Sequence, residues 1–319
     1  MRLIRVAAIA VLAAFAMTAQ AQTYPNKPVR MLVGFAPGSG PDVISRTISN
    51  QLGADLGQSF VIENRLGANG TIAARAVAQS EPDGYTLLFS SSSISSTPFI
   101  YKNPNFDVLR DLAPIATSGI LDGYLFLVHP SLPVRNVPEF IAYAKQHRVL
   151  YGSPGVGNGL HLATELFKLA AGVEIEHVPY RGASEVANAL LGQNIHFMLV
   201  TPTSVIGLVK EGKLRAIGFS GAKPFPEFPD VPLVRATLPK LSILNTWGMF
   251  YAPGKTPPAI VEKLNMAVRQ ALRAKLVADV MARAGYVPDD RTAAQTAEFF
   301  RDEVAATGEA VKAARIQPQ

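Results

Sequence analysis

Val29-Arg30-Met31-Leu32-Val33-Gly34-Phe35-Ala36-Pro37-Gly38-Ser39-Gly40-Pro41-Asp42 sets the fold class. A short apolar run rich in branched residues reads as a buried strand, and the Gly and Pro cluster ends it. Asp42 then opens a stretch with helical spacing that runs over Pro41 to Leu52. The unit is therefore strand, glycine turn, helix. It recurs along the chain. Phe60 to Glu63, Tyr85 to Phe89, Tyr124 to Val128, Val149 to Gly152, Ile175 to Val178, Ile195 to Val200 and Leu214 to Phe219 read as further strands. Thr71 to Gln79, Pro138 to Gln146, Leu160 to Ala171, Ser184 to Leu191 and Thr203 to Lys210 read as helices between them. Such alternation predicts an α/β protein with mostly parallel sheets. After Lys223 to Pro239, a proline-rich connection without a period, helices take over. Thr256 is placed to cap one that opens on Pro257 and Pro258, and Thr292 with Gln295 forms a capping box for another. The chain thus divides into an N-terminal lobe, a central lobe, and a C-terminal segment that rejoins the first: residues 22–124 plus 232–319, and residues 125–231.

Composition narrows the classes. The 319 residues are 48% hydrophobic and 17% charged, too apolar for a disordered chain. At roughly 100–200 residues per domain the length suits two lobes with cores of their own. No cysteine is present, which excludes disulfide scaffolds, thiolate metal centres and cysteine nucleophiles. The net charge is +6, dispersed along the chain, whereas nucleic-acid binding needs a basic stripe. Two of the arginines, Arg2 and Arg5, precede an apolar run of twelve residues, Val6 to Met17, and Ala19-Gln20-Ala21 follows. This pattern predicts a secretory signal peptide over residues 1–21, with the mature chain starting at Gln22 and exported to the periplasm. The run is shorter than the about 20 residues that span a bilayer.

In open α/β sheets ligands bind beyond the carboxyl ends of the strands. The residues there are small, hydroxylated and rich in glycine: Ala36 to Gly40, Ser90 to Ser93, Ser153 to Gly159, Pro179 to Ser184 and Thr201 to Thr203. The Gly38 and Gly157 turns lead straight into helices, whose first-turn N–H groups and dipole attract an anion without any cationic side chain. Tightening of the strand-to-helix turns alone would also account for these glycines. One turn in each lobe would grip two negative groups across a cleft. Asp42 either caps its own loop or, if it touches the ligand, calls for an ammonium or hydroxyl there. Arg181 either pairs with a carboxylate or stays solvated. His161 reads as a packing residue and Trp247 as core. Three enzyme motifs fall short. Gly207 and Gly212-Lys213 have phosphate-loop spacing, but Leu214 stands where Ser or Thr is needed. Gly155 and Gly157 lack the third glycine of a dinucleotide turn, Leu160 standing in its place. Gly218-Phe219-Ser220-Gly221 is one residue short of a nucleophile elbow.

Tyr24-Pro25-Asn26-Lys27-Pro28-Val29-Arg30, Phe35-Ala36-Pro37-Gly38 with Asp42, Glu63-Asn64-Arg65-Leu66-Gly67-Ala68-Asn69-Gly70 and Pro82-Asp83-Gly84-Tyr85-Thr86-Leu87-Leu88 resemble the Bug receptors, the periplasmic solute-binding proteins of the tripartite tricarboxylate transporter family. The likeness continues through Tyr151-Gly152-Ser153, Val178-Pro179-Tyr180-Arg181-Gly182 and Pro229-Asp230-Val231-Pro232. It implies a type II periplasmic binding fold, two lobes joined by a two-segment hinge. Such a receptor closes on a small carboxylate, either a di- or tricarboxylate or an aromatic acid, and delivers it to a membrane permease or a sensor protein. It implies a monomer without cofactor, metal or catalysis. Carried onto this chain, the ligand contacts are Phe35, Ala36, Gly38, Ser39, Asp42, Ser90 and Ser91 on one side and Ser153, Val156, Gly157, Asn158, Arg181, Gly182, Ala183 and Thr201 on the other. They act mainly through backbone amides and bound water. Ser39 departs from the family, which usually has glycine there. The alternative function is an exported hydrolase of carboxylate esters.

Overall fold

The run at Val29 forms strand β1 (Val29–Val33), and its side chains, the exposed Arg30 apart, alternate between two buried faces. Met31 and Val33 meet Ile44, Ile48 and Leu52, one stripe of the helix Gly40–Leu56. Leu32 faces the opposite way, toward Ala73, Ala74 and Val77 of the helix Thr71–Ala78 and Phe300 and Val304 of the helix Ala293–Ala313. A strand buried on both faces reads as an unbroken apolar run, which is why β1 was legible. These coordinates belong to a computed structural model that describes residues 24–121, 123–241 and 246–318. The export segment, with its cleavage point before Gln22, lies outside the described residues.

Two sheets form. In the first, β1 lies between β2 (Phe60–Asn64) and β3 (Thr86–Ser91), parallel to both; β10 (Thr246–Pro253) follows antiparallel, then β4 (Leu112–Leu121) and the short β11 (Tyr286–Val287). In the second, β6 (Leu150–Ser153) lies between β7 (Glu176–Pro179) and β8 (Phe197–Val200), followed by antiparallel β5 (Leu125–Val128) and then β9 (Arg215–Phe219). The order is the same in both: second parallel strand, first, third, one reversed strand, fourth. This is the type II periplasmic binding fold, with two lobes joined where β4 passes into β5 and where the chain returns from β9 to β10.

The structure corrects several expectations. The sheets are mixed rather than mostly parallel, because β5 and β10 run against their neighbours. Strands do not stop after Phe219: β10 and β11 both lie beyond it, and β4 was also unforeseen. The helix expected over Thr203 to Lys210 is a 3-10 turn, Pro202–Ser204, followed by the short helix Ile206–Lys210. The helix Pro258–Leu272 is capped at Pro257, and the Thr256 hydroxyl is buried without a partner.

The second lobe is centred on aromatic rings. Phe140 stacks on Phe197 at 4.5 Å, and Phe126 meets Phe167 edge-on at 5.2 Å. Such pairs add about 0.5–1.5 kcal/mol each beyond the area they bury. In the first lobe Trp247 is fully buried, and its Nε1–H donates to Glu303 at 2.7 Å, so it belongs to the core. The lobes touch through Ile100, Leu162 and Val311, all buried together.

The capping box at Thr292 and Gln295 is formed. Thr292→Ala should therefore cost about 1 kcal/mol, a fall in Tm of about 2–4 °C by calorimetry. Thr256→Val should leave Tm unchanged or raise it, because the hydroxyl it removes has no partner.

Candidate functional site

The turn after β1 is held from beneath by Asp42, only 2% exposed in the first turn of its helix. Its Oδ2 accepts the Gly38 N–H at 2.9 Å and the Arg46 Nε–H at 2.9 Å, and its Oδ1 accepts from Asn64 Nδ2 at 2.7 Å. Asn64 donates as well to the Phe35 carbonyl at 2.9 Å, which ties the end of β2 to the turn. Burial pushes the Asp42 carboxyl up, but the hydrogen bonds from Arg46, Asn64 and Gly38 outweigh it and hold the group below its ordinary value. All of these contacts are structural. The nearby cations are committed likewise: Arg30 and Arg65 both pair with Glu63, at 2.7 and 2.6 Å.

Two hydroxyls at this edge are unsatisfied. Ser90, at the end of β3, is fully buried and its Oγ has no hydrogen-bond partner; Ser39, at the N-cap of the helix Gly40–Leu56, is only partly buried, but its Oγ is shielded and likewise has no partner. Ser39 makes no capping bond, so the first-turn amides of that helix are left uncapped by it. A methyl group at Gly70 would stand 3.5 Å from Ser90 Oγ and 3.6 Å from the Phe35 ring, so these three residues converge. Ser91 Oγ accepts the Ser93 N–H at 3.3 Å and caps the 3-10 turn Ser92–Ser96. Ala36 is exposed.

The second-lobe loop follows β6. Ser153 is fully buried, and its Oγ lies 2.7 Å from His177 Nε2. The Gly157 N–H donates to His161 Nδ1 at 3.1 Å, which leaves the His161 proton on Nε2. Asn158 caps the helix Gly159–Ala171 by accepting the Leu160 N–H at 3.0 Å, and its Nδ2 donates to Ser93 Oγ of the first lobe at 3.3 Å. Thus the Gly38 and Gly157 amides are both engaged by side chains four residues on. Beneath the loop His161 and His177 stack at 4.1 Å, with Tyr151 on His177 at 4.9 Å. Burial depresses both imidazoles, His161 to about 4 and His177 to about 3, so both are neutral at pH 7.

The remaining residues spread along the same edge. A methyl at Gly155 would come within 3.7 Å of the Tyr180 carbonyl, so the Arg181 turn flanks the loop. The Arg181 N–H donates to Glu185 at 3.1 Å and its side chain is exposed; Gly182 caps the helix Ala183–Leu191. Thr201 turns its hydroxyl to Ser204 at 3.0 Å.

The second-lobe loop meets the first lobe at Asn69, Ile100 and Ser93. Sequence reading missed Asn69 and Gly70 as site residues, although Gly67-Ala68-Asn69-Gly70 is itself a glycine-rich turn between a strand and a helix.

Residues 44–316 match the tripartite tricarboxylate transporter family receptor. The chain belongs to that family. The protein BugT of Bordetella pertussis is 34% identical over 297 residues, 92% of this chain and 90% of BugT. Among solved structures, Rpa4515 of R. palustris with adipate superposes with a TM-score of 0.86 at 31% identity, covering 93% of this chain and all of that one. MatC from Rhodopseudomonas palustris with bound malate superposes at 0.82 with 28% identity, over 90% of this chain and 100% of MatC. The receptors of this family are periplasmic, and no helix among the described residues is long and apolar enough to cross a membrane.

The buried imidazoles give the receptor a defined acid response. An unfolded chain protonates histidine below about pH 6.5, whereas folded His161 stays neutral down to about 4. Stability should fall as pH drops through that window, by up to about 1.4 kcal/mol per pH unit for this one group. Melting temperatures measured from pH 6.5 to 4.5 should show a shallower slope in His161→Asn.

Proposed function

We propose that the receptor is exported by the segment 1–21 and captures a small carboxylate between lobes formed by residues 22–124 plus 232–319 and residues 125–231. It then presents its closed surface to a membrane permease or a sensor protein, acting as a monomer. The observation that carries this reading is the pair of buried, unpartnered hydroxyls, Ser39 and Ser90, at the strand ends of the first lobe. Buried polar atoms are nearly always paired, and of the unpaired hydroxyls these two lie at or beyond the carboxyl ends of β1 and β3, where an outside partner can supply the missing bond. The arginines nearby are spent on Glu63 and Asp42, so the donors left for an anion are hydroxyls and peptide N–H groups. An acid bound this way gains charge-assisted hydrogen bonds in a crevice that excludes water.

Engagement of the Gly38 and Gly157 amides refines the donor set. Those two N–H groups shape the turns, and the ligand takes the neighbouring first-turn amides, with Phe35 and Ala36 walling one end. From the second lobe come Val156, Asn158, Gly182 and Ala183, with Arg181 and Thr201 at the rim. Asp42 contributes by fixing the turn, its charge balanced by Arg46. Ligand that touches both lobes favours the closed form by its extra contacts there.

The hydrolase reading is weaker on physical grounds. Ser153 and His177 are the nearest approach to a nucleophile and base, but Ser153 is fully buried and its hydroxyl also contacts the Gly155 carbonyl at 3.2 Å. A histidine held at about 3 is a poor base at neutral pH.

Purified receptor should be screened by thermal shift against dicarboxylates of four to six carbons, citrate and aromatic acids. At least one acid should raise Tm and be recovered unchanged, since binding to the folded state alone stabilises it by mass action. Ser90→Ala should weaken that acid by roughly ten-fold or more, the loss expected for a hydrogen bond to a charged group, without lowering the Tm of the free protein. A panel in which no acid shifts Tm, or an acid that is hydrolysed, would defeat the proposal.

A further inference from the structure

Gly67, Ala68, Asn69 and Gly70 all have positive φ, at 123°, 48°, 52° and 89°. Glycine adopts such angles freely, but Ala68 and Asn69 carry side chains, for which the conformation is costly. Asn tolerates the left-handed region better than most residues, yet the conformation still has to be held by its surroundings. What this turn achieves is to project Asn69 across to the other lobe. Its Nδ2 donates to the Val156 carbonyl at 2.8 Å and to the Tyr101 hydroxyl at 3.3 Å.

The opposing loop is shaped to receive it. Gly155 has φ 131°, which disfavours any side chain, and a methyl there would stand in van der Waals contact with Asn69 Oδ1, at 3.4 Å. Two residues on, Ile100 of the first lobe fills the space over Gly157, where a methyl would come within 2.5 Å of its Cγ1. Asn158 adds its bond to Ser93. The loop Ser153 to Asn158 is therefore gripped on three sides by first-lobe residues.

We infer that Asn69 is a positioning residue for ligand capture: by tying the Val156 carbonyl to the first lobe, it sets how far the receptor is closed before ligand arrives. The inference rests on the carboxylate-capture reading for its consequence, though the clasp itself can be tested without ligand. A neutral hydrogen bond of this kind shifts a two-state equilibrium about two- to ten-fold. Apparent affinity scales with the fraction already competent to bind, so loss of the clasp weakens ligand by no more than that factor.

The absence of native cysteine allows a clean measurement. Leu169→Cys in the second lobe and Leu276→Cys in the first, at exposed positions, would carry a pair of spin labels. Asn69→Gly suits the left-handed backbone while deleting the carboxamide. In the ligand-free receptor this variant should lower the ratio of short- to long-distance populations two- to ten-fold. With the acid found in the screen at saturation it should return to the wild-type distance, with apparent Kd raised by the same factor or less. Tyr101→Phe, which keeps the Val156 bond, should have the smaller effect. An unchanged ligand-free distance distribution in Asn69→Gly overturns the clasp. So would an affinity loss without any change in that distribution, which would make Asn69 a direct ligand contact. If no acid binds at all, the capture reading fails and the ligand-free distances still judge the clasp.

Discussion

A single buried carboxylate organises the first-lobe edge of the crevice. Asp42 gathers the Gly38 amide, the Arg46 guanidinium and the Asn64 carboxamide, and through Asn64 it reaches the Phe35 carbonyl. The turn after β1 and the end of β2 are thereby fixed relative to each other, and Phe35 is placed against Gly70. Burying a carboxylate is expensive unless it is paired and hydrogen-bonded, and here both conditions are met. The arrangement also consumes the nearest cation.

The second lobe solves the same problem with neutral groups. His161 takes the Gly157 amide, His177 takes the Ser153 hydroxyl, and stacking with Tyr151 fills the space below. Desolvation, helped by the nearby Lys168 ammonium, keeps both rings uncharged, and Lys168 itself is paired with Glu165. The two lobes thus share a design in which a side chain four residues after the glycine, the third of its helix, occupies the turn amide. Each glycine turn is thereby tied to its own helix by a side-chain hydrogen bond.

Much of this was legible in the sequence. The strands β1, β3, β6 and β8 are short apolar runs closed by glycine, serine or threonine. The rule that ligands sit beyond strand ends led to Ser39, Ser90 and the loop after Ser153. Elements with mixed local signals were not legible. β4 contains Pro114, Ser118 and Gly119, and β10 contains Gly248 among aromatic residues, so neither shows a clean period. Both owe their conformation to pairing with strands distant in sequence. Thr256 failed as a cap for a related reason: its side chain is buried at the end of β10, and the helix begins on two prolines whatever the hydroxyl does.

Asn69 marks the limit of what composition can convey. A glycine-flanked asparagine after a strand reads as a turn residue, because Asn is a common choice for left-handed backbone. That reading is correct and incomplete. The same left-handed geometry that explains the residue type also aims its carboxamide out of the first lobe, and the partner is a carbonyl 87 residues away in sequence. No local pattern encodes that distance. It becomes visible only when the second lobe is in place, with Gly157 lacking a side chain where Ile100 presses against it and Asn69 in contact distance of Gly155. The glycines of the second-lobe loop then have two separable causes: backbone geometry at the turn, and close approach of the opposite lobe. Sequence alone suggests the first, and only the assembled pair of lobes supplies the second.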